Sequence, residues 1–347
     1  MSSNFAFVLA GGTGERFWPL SRAALPKHLL RLFGGRTLLE NTVRRLEGVV
    51  PSENIFVLTN VAQREAAVRE LPFLDPRQVI AEPAKRDTAP ACALATAIAR
   101  SRDKDATCAI LPADAMIHDG ETFRRQLRQA FEAASRGKDI LTFAIPPAFP
   151  STGFGYLELG EADADGIFPV SRFVEKPDRE VAESYVAGGR HAWNAGIFLW
   201  SAELFFEESQ RHIPELAKFI EDFPGEGLGD FLHSRFPNLP KISVDYAILE
   251  KARSVRALRA GFDWDDVGSW SSLPAHLGTD SSGNCLQGPT AVHESTGNIV
   301  LSTGRLIALC GVRDLIIVET PDAILVAHKD SAQHIKALQK LLPEPLK

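Results

Sequence analysis

A run of glycines closes an apolar segment at Gly11-Gly12-Thr13-Gly14-Glu15-Arg16, and Pro19-Leu20-Ser21-Arg22 and Pro26-Lys27 follow at short spacing. Glycines at a strand end let backbone N–H groups approach phosphate oxygens, and Arg16 and Lys27 supply positive charge beside them. The chemistry this favours is capture of nucleotide phosphates. Two familiar phosphate loops do not fit, because the Walker pattern is absent and the Rossmann G-x-G-x-x-G breaks at Phe17. An isolated Gly-x-Gly is an ordinary turn, and Arg16 and Lys27 alone would be solvated surface. The three elements in succession favour phosphate binding instead. Asp114 follows a buried strand, where a carboxylate faces the ligand crevice of an open α/β sheet, although a lone loop Asp also serves as a turn or cap residue. Glu175-Lys176-Pro177 sets an acceptor beside a point charge, or is simply a strand end with a polar turn.

These residues need a scaffold. Asn4 to Ala10 reads as a buried strand breaking into the glycine turn, and Thr37 to Gly48 as an amphipathic helix through Leu38, Leu39, Val43 and Leu46. Asn54 to Thr59 and Ala106 to Leu111 read as strands, and Ala62 to Leu71 and Ala89 to Arg100 as helices. Strands alternating with helices imply an α/β fold with an open, largely parallel sheet covered on both faces. Leu141 to Ile145 and Ile197 to Trp200 are strand-like runs among longer irregular stretches that suit a substrate pocket. Past the Gly-, Ser- and Asn-rich stretch Gly278 to Gly288 come short β runs, Asn298 to Leu301, Arg305 to Cys310, Leu315 to Glu319 and Ala323 to Ala327. They fit a small β unit, either solenoid or sandwich fragment. Ser331 is placed to cap a final helix with Ile335, Leu338 and Leu342 on one face.

At 347 residues and 45% hydrophobic composition the chain can bury one large core and a smaller appended unit. Its apolar stretches are shorter than the roughly 18 residues of a membrane span, and Met1 to Arg16 lacks the zones of a secretory signal, so no membrane and a cytoplasmic location are expected. Cys92, Cys108, Cys285 and Cys310 form no C-x-x-C pair and read as buried small hydrophobes. A formal charge of -6 with interspersed signs argues against nucleic acid as a partner.

The glycine string with its Pro-Leu-Ser and Pro-Lys elements resembles the nucleotide-binding signature of the sugar-phosphate nucleotidyltransferases. Further blocks resemble, in family order, the mannose-1-phosphate guanylyltransferases. These are Glu82-Pro83, Arg86, Thr88-Ala89-Pro90, Leu111-Pro112-Ala113-Asp114, Thr152 to Tyr156, Phe173 to Pro177, Trp193 to Phe198, Val244 to Ala247 and Trp264 to Trp270. Gly311 to Val326 is similar to that family's tail. The resemblance implies a Rossmann-like nucleotidyltransferase domain over residues 1–277, with a mixed, mostly parallel sheet. Over residues 285–347 it implies a small left-handed β-helix-like unit with a terminal helix.

Carried over block by block, the resemblance implies that Gly11, Gly12 and Gly14 line the nucleotide, that Arg16 holds the outer phosphates and that Lys27 sits by the α-phosphate. Glu82, Pro83, Thr88 and Ala89 belong to the part that reads the guanine edge and closes over the nucleoside. Asp114 and Asp266 become the two metal positions, and hard oxygen ligands completed by phosphates and waters suit Mg²⁺. Glu175 meets sugar hydroxyls, Lys176 pairs with the sugar phosphate, and Gly153, Gly155 and Asn194 shape the sugar pocket. Asp245 and Tyr246 either face substrate or cap a helix. Two departures are Ala115, where the family commonly has His, and Ala195, where it commonly has Ser.

The implied reaction is attack of mannose 1-phosphate on the α-phosphorus of GTP, releasing pyrophosphate and giving GDP-mannose. A phosphate monoester, with a second pKa of about 6, is largely dianionic and needs no general base. None of the nine histidines sits in a motif that demands one. Other sugar 1-phosphates or nucleotides would use the same scaffold, and a non-catalytic GDP-mannose sensor is the rival of another class. Many relatives continue into an isomerase domain; a chain ending at Lys347 is expected to have the transferase activity alone. A homodimer through the β unit is expected from the family.

Overall fold

Alternate side chains of one apolar strand serve two cores: in β1 (Asn4–Ala10), Ala6, Val8 and Ala10 enter one and Phe5 and Phe7 the other. The computed structural model describes residues 3–225 and 227–346, so Met1 and Lys347, the outer ends of the two expected domains, lie outside the described residues. β2 (Ile55–Asn60) and β4 (Thr107–Pro112) flank β1 in parallel, and β3 (Val79–Glu82) extends the sheet beyond β2. Strands buried on both faces read as continuous apolar runs, which is why this half was legible in sequence. Helices Leu38–Arg44 and Gly120–Ala134 cover one face, and Thr88–Arg102 with Ala202–His212 the other. Fully burying a large apolar side chain contributes about 1.5–3 kcal/mol, so Leu39 and Phe123 anchor the first layer as Phe205 anchors the second.

The second half comprises β5 (Ile140–Ile145), β6 (Gly155–Leu159), β7 (Ile167–Glu175), β8 (His191–Ser201) and β9 (Val255–Arg259). The sheet order is β3-β2-β1-β4-β8-β5-β9-β7-β6. Only β7 and β8 run against the other strands, so the sheet is mixed and mostly parallel, as expected. β6 also pairs with the first residues of β8, curling this half around Ala144, Leu157 and Ala257. β8 is longer than the run Ile197 to Trp200 suggested. Its pairing with β5 slips between Thr142 and Ala144, beside Gly196 at φ 69, and this bulge disguised the strand's first half.

The β unit is a solenoid. β10 (Cys285–Gln287), β12 (Ile299–Ser302) and β14 (Leu315–Glu319) stack in parallel, as do β11 (Thr290–His293) and β13 (Ile307–Cys310). Buried Asn284 and Asn298 tie successive coils: Asn298 N donates to Asn284 Oδ1 at 2.9 Å, and Leu315 N to Asn298 Oδ1 at 3.0 Å. β15 (Ile324–His328) folds back antiparallel on β14. Cys310 is exposed on β13, unlike the other three cysteines. The Thr37 to Gly48 segment is α-helical only over Leu38–Arg44, with Thr37 accepting from Glu40 N as its cap. Ser331 caps nothing, since it lies within a 3₁₀ turn, Lys329–His334, and the α-helix is only Ile335–Leu338. Leu342, in the extended conformation favoured before a proline, ends that segment ahead of Pro343.

The solenoid braces the glycine loop. Phe17, Trp18, Phe33 and Trp270 share one apolar cluster with Ile299, Ile316, Leu325 and Ile335. Trp18 Nε1 donates to Leu346 O at 2.8 Å, Gln339 Nε2 to Glu15 O at 3.0 Å, and Arg22 forks onto both Asp322 oxygens. No described helix is long and apolar enough to cross a membrane.

Candidate active site

The carboxyl ends of β1, β3 and β4 open into a cavity of about 520 Å³, the position at which open α/β sheets bind ligands. Gly11, Gly12, Glu82, Thr88, Asp114, Gly153, Gly155, Glu175, Asn194 and Asp266 all line it, so ten of the anticipated residues converge on one space. Gly14, Arg16, Lys27, Pro83, Ala89 and Lys176 are not on its wall. Ala89 is fully buried in the first turn of its helix, and Arg16 is exposed, its Nη1 donating to Gly268 O at 3.3 Å. Both departures, Ala115 and Ala195, are wall residues, so the trimmed side chains leave room inside the cavity itself.

The glycines of the loop differ in what they do. A Cβ on Gly11 or Gly12 would meet nothing within 4 Å, so these positions border open space that a ligand can fill. Gly14 has φ 63, and a Cβ there would lie 2.5 Å from Lys27 Cβ and 2.6 Å from Lys27 N. It fixes the loop against the Lys27 segment. Gly14→Ala is expected to destabilise the protein by about 1–3 kcal/mol through left-handed strain and the backbone clash; a denaturant melt within 0.5 kcal/mol of the parent, roughly the scale of a neutral surface change, would contradict this packing.

Lys27 sits behind the cation-side wall, which carries Asp114 and Asp266, and ties those two segments together. Its buried ammonium pairs with Asp114 Oδ2 at 2.7 Å and donates to Asp266 O at 2.7 Å and Val267 O at 3.1 Å. An ammonium has three protons, and all three are committed to the protein. Burial opposes ionisation of Asp114, but Lys27 and then His28 hold its carboxyl below the ordinary range. The Asp114 side chain keeps 44% of its surface open, so it can still accept a ligand. Burial raises Asp266 to about 6; Lys27 counters this, while Asp265 and Asp114 add to it. His28 is buried beneath, lowered to about 4 chiefly by desolvation, with Nε2 unpartnered. The turn that presents Asp266 is strained: Val267, β-branched and buried, has φ 46. Gly268 beside it leaves room for the carboxylate, since a Cβ would fall 2.9 Å from Asp266 Oδ2 and push that side chain aside.

The cavity thus has two carboxylates, Asp114 and Asp266, and burial is the main force opposing the charge on Asp266. Among the described residues no group of three or more His, Cys, Asp or Glu could hold a metal ion. A pair of hard oxygen donors, incomplete without phosphates and waters, is the set that suits Mg²⁺. The residues present fit that ion.

The rest of the lining carries further polar side chains, held by hydrogen bonds and burial. Burial alone raises Glu82 to about 8. Asp87 at φ 69 accepts from Thr88 N, and Thr88 Oγ1 accepts from Val244 N at 2.9 Å, docking the helix start onto the segment before Asp245. Asn194 Oδ1, at the β8 bulge, accepts from Thr142 Oγ1 at 2.9 Å and Gly196 N at 3.2 Å, which leaves its amide group to the cavity. Lys176, at φ 48, pairs with Glu175; burial opposes its charge, but Glu175 keeps its pKa raised.

Sequence reasoning left several wall residues out. Asp245, balanced between two roles, lines the cavity and is raised to about 6, first by burial and then by Glu175. Lys85 and Trp264 are also wall residues, and Trp264 Nε1 is buried without a partner. Nothing in their spacing marked them; Trp264 stood in a quoted block without a role.

The chain matches the nucleotidyl transferase family over residues 5–278 and the MannoseP isomerase/GMP-like beta-helix domain over residues 291–342. It is 37% identical to a mannose-1-phosphate guanylyltransferase of Klebsiella pneumoniae, across 97% of this chain and 73% of that protein. It is equally similar, at 37% over the same shares, to a mannose-1-phosphate guanylyltransferase of Escherichia coli. Among solved structures, a mannose-1-phosphate geranyltransferase from Thermus thermophilus superposes with a TM-score of 0.88 at 35% identity, covering 98% of this chain and 99% of that one.

Proposed function

The chain belongs to the nucleotidyl transferase family, and from that premise we propose that it transfers GMP from GTP to α-D-mannose 1-phosphate, yielding GDP-mannose and pyrophosphate. The observation that carries this is one cavity lined together by open glycines, the carboxylates Asp114 and Asp266, and the polar side chains Glu175 and Asn194. Gly11 and Gly12 leave backbone approach for the phosphates, and Glu82 and Thr88 face the nucleoside. Glu175, Asn194 and Trp264 offer acceptor and donor groups to sugar hydroxyls. Arg16 and Lys176 stand off the wall, where the long side chains of a rim can close on bound phosphates.

Asp114 and Asp266 would hold Mg²⁺, which when bound neutralises charge on the reacting phosphates. Lys27 keeps the two carboxylate segments together and Asp114 ionised. The sugar phosphate is itself the nucleophile, so the chain needs to orient two anions, not to remove a proton. Exposed Ile324 and Val326 on the edge strand β15 support a homodimer contact through the solenoid.

The decisive experiment is a grid of nucleoside triphosphates against sugar 1-phosphates, scored by pyrophosphate release from purified protein. The proposal predicts GTP with mannose 1-phosphate as the best pair. Preference for another pair would reassign the substrates, and no release from any pair, with GDP-mannose still bound, would favour a sensor.

Glu82 gives a further check. A carboxyl raised in the folded state contributes stability while protonated, fully present below its ordinary value and lost as pH rises toward about 8. Asp245 and Asp266, each at about 6, are present in parent and Glu82→Gln alike, so their titration cancels in the difference and the window from pH 6.5 to 8 reports Glu82. Ligand-free protein should therefore lose up to about 1.4 kcal/mol per pH unit across that window, relative to Glu82→Gln. Parallel melts of the two proteins that stayed superimposable from pH 6.5 to 8 would remove Glu82 from the desolvated wall.

A further inference from the structure

A second cavity, of about 450 Å³, lies behind the cation-side wall and is lined by Arg36, Arg44, Arg45, Arg124, His118 and His276 over a floor that includes Phe33, Met116 and Ile117. Four guanidiniums around one small-molecule-sized space is an unusual concentration of charge, since ligand cavities of roughly 300–1,000 Å³ are mostly apolar. Glu40 answers part of it, pairing with Arg44 at 2.8 Å and Arg36 at 3.6 Å. Arg45 and Arg124 are different: among the described residues neither guanidinium has a hydrogen bond or an ion pair.

Arg45 is 7% exposed and touches the Phe123 ring, and desolvation lowers it to about 10. Asp263 is the carboxylate whose charge acts on it, while Arg124 repels it. That carboxylate is already engaged, accepting from His118 N at 2.8 Å and Asp119 N at 2.7 Å. A largely buried guanidinium with no protein partner, beside a second unpaired guanidinium, is well matched to a tetrahedral oxyanion. The imidazoles of His118 and His276 lie on the same wall with His118 Nε2 3.1 Å from His276 Nδ1, a polar pair at the edge of the space.

We propose that this cavity is a second anion site, distinct from the active site, that binds the phosphoryl group of a small phosphorylated molecule through Arg45 and Arg124. Its lining adjoins the segments that carry the reaction centre. Met116 N donates to Asp265 O at 2.8 Å and Asp265 N to Met116 O at 3.0 Å, which zips together the segments carrying Asp114 and Asp266. His276 Nε2 lies 3.0 Å from Asp265 Oδ2, so an occupant touching His118 and His276 braces both segments.

Calorimetric titration of the full chain with inorganic phosphate and, separately, glucose 6-phosphate tests this and separates a free oxyanion from a phosphorylated metabolite. Arg124→Gln, at a partly exposed helix position, and the charge-preserving Arg45→Lys should each weaken binding by at least about tenfold. Asp114→Asn, which removes a charge from the active site and no lining group from this cavity, should leave this binding within about twofold of the parent. The proposal is overturned if neither probe binds, if Arg124→Gln binds like the parent, or if Asp114→Asn abolishes the binding that Arg124→Gln retains.

Discussion

Replacing Lys27 by methionine lowers turnover at least about a hundredfold and weakens the fold by about 3 kcal/mol. Both effects have one origin. The ammonium joins the Asp114 carboxylate to the Asp266 and Val267 carbonyls, and methionine fills its space without supplying a proton. Two carbonyls lose their donor in a buried setting, and Asp114 loses the charge that keeps it ionised. The open face of Asp114 is solvated, which is why the cost sits at the lower end for a broken buried pair. Chemical denaturation reports the stability term, and pyrophosphate release under saturating substrates reports the rate. A folded Lys27→Met protein with turnover within a few-fold of the parent would show that the Lys27 clasp is dispensable to the reaction.

Asp114→Asn and Asp266→Asn should each reduce turnover by about two to three orders of magnitude, yet move stability in opposite directions. Asp114 answers Lys27, so its amide leaves a buried ammonium without its counter-charge, and the fold loses stability. Asp266 is ionised against its surroundings, raised to about 6 by burial and by two neighbouring carboxylates, so its amide relieves a penalty at neutral pH. Melts at pH 7.5 would show the first variant below the parent and the second at or above it. Equal destabilisation by both would mean that Asp266 is held by contacts other than those described.

The parallel half of the fold was legible because its strands are apolar on both faces and its helices are separated by glycine or capping residues. The glycine loop and Asp114 were legible for the same reason: each follows a strand whose end is unmistakable. The other half was harder. β8 hides behind a bulge at Gly196, and that bulge is what aims Asn194 inward, so the irregularity that masked the strand also makes the site. Asp245 could not be placed because its position depends on Val244 docking to Thr88, a contact between residues far apart in sequence. The Lys27 clasp was equally invisible, since a lysine's partners across such a separation leave no local pattern. Pairing of Asp266 with Asp114 came from family resemblance alone.

The solenoid's hold on Glu15, Trp18 and Arg22 has a consequence for how the protein comes into being on the ribosome. A nascent chain that has emerged only as far as Leu277 already contains the whole reaction cavity, but the loop at its beginning still lacks the Asp322, Gln339 and Leu346 contacts. Translation therefore passes through an interval in which the large domain can fold around an unsupported mouth, with Phe17, Trp18 and Trp270 offering bare aromatic surface to chaperones or to other unfinished copies.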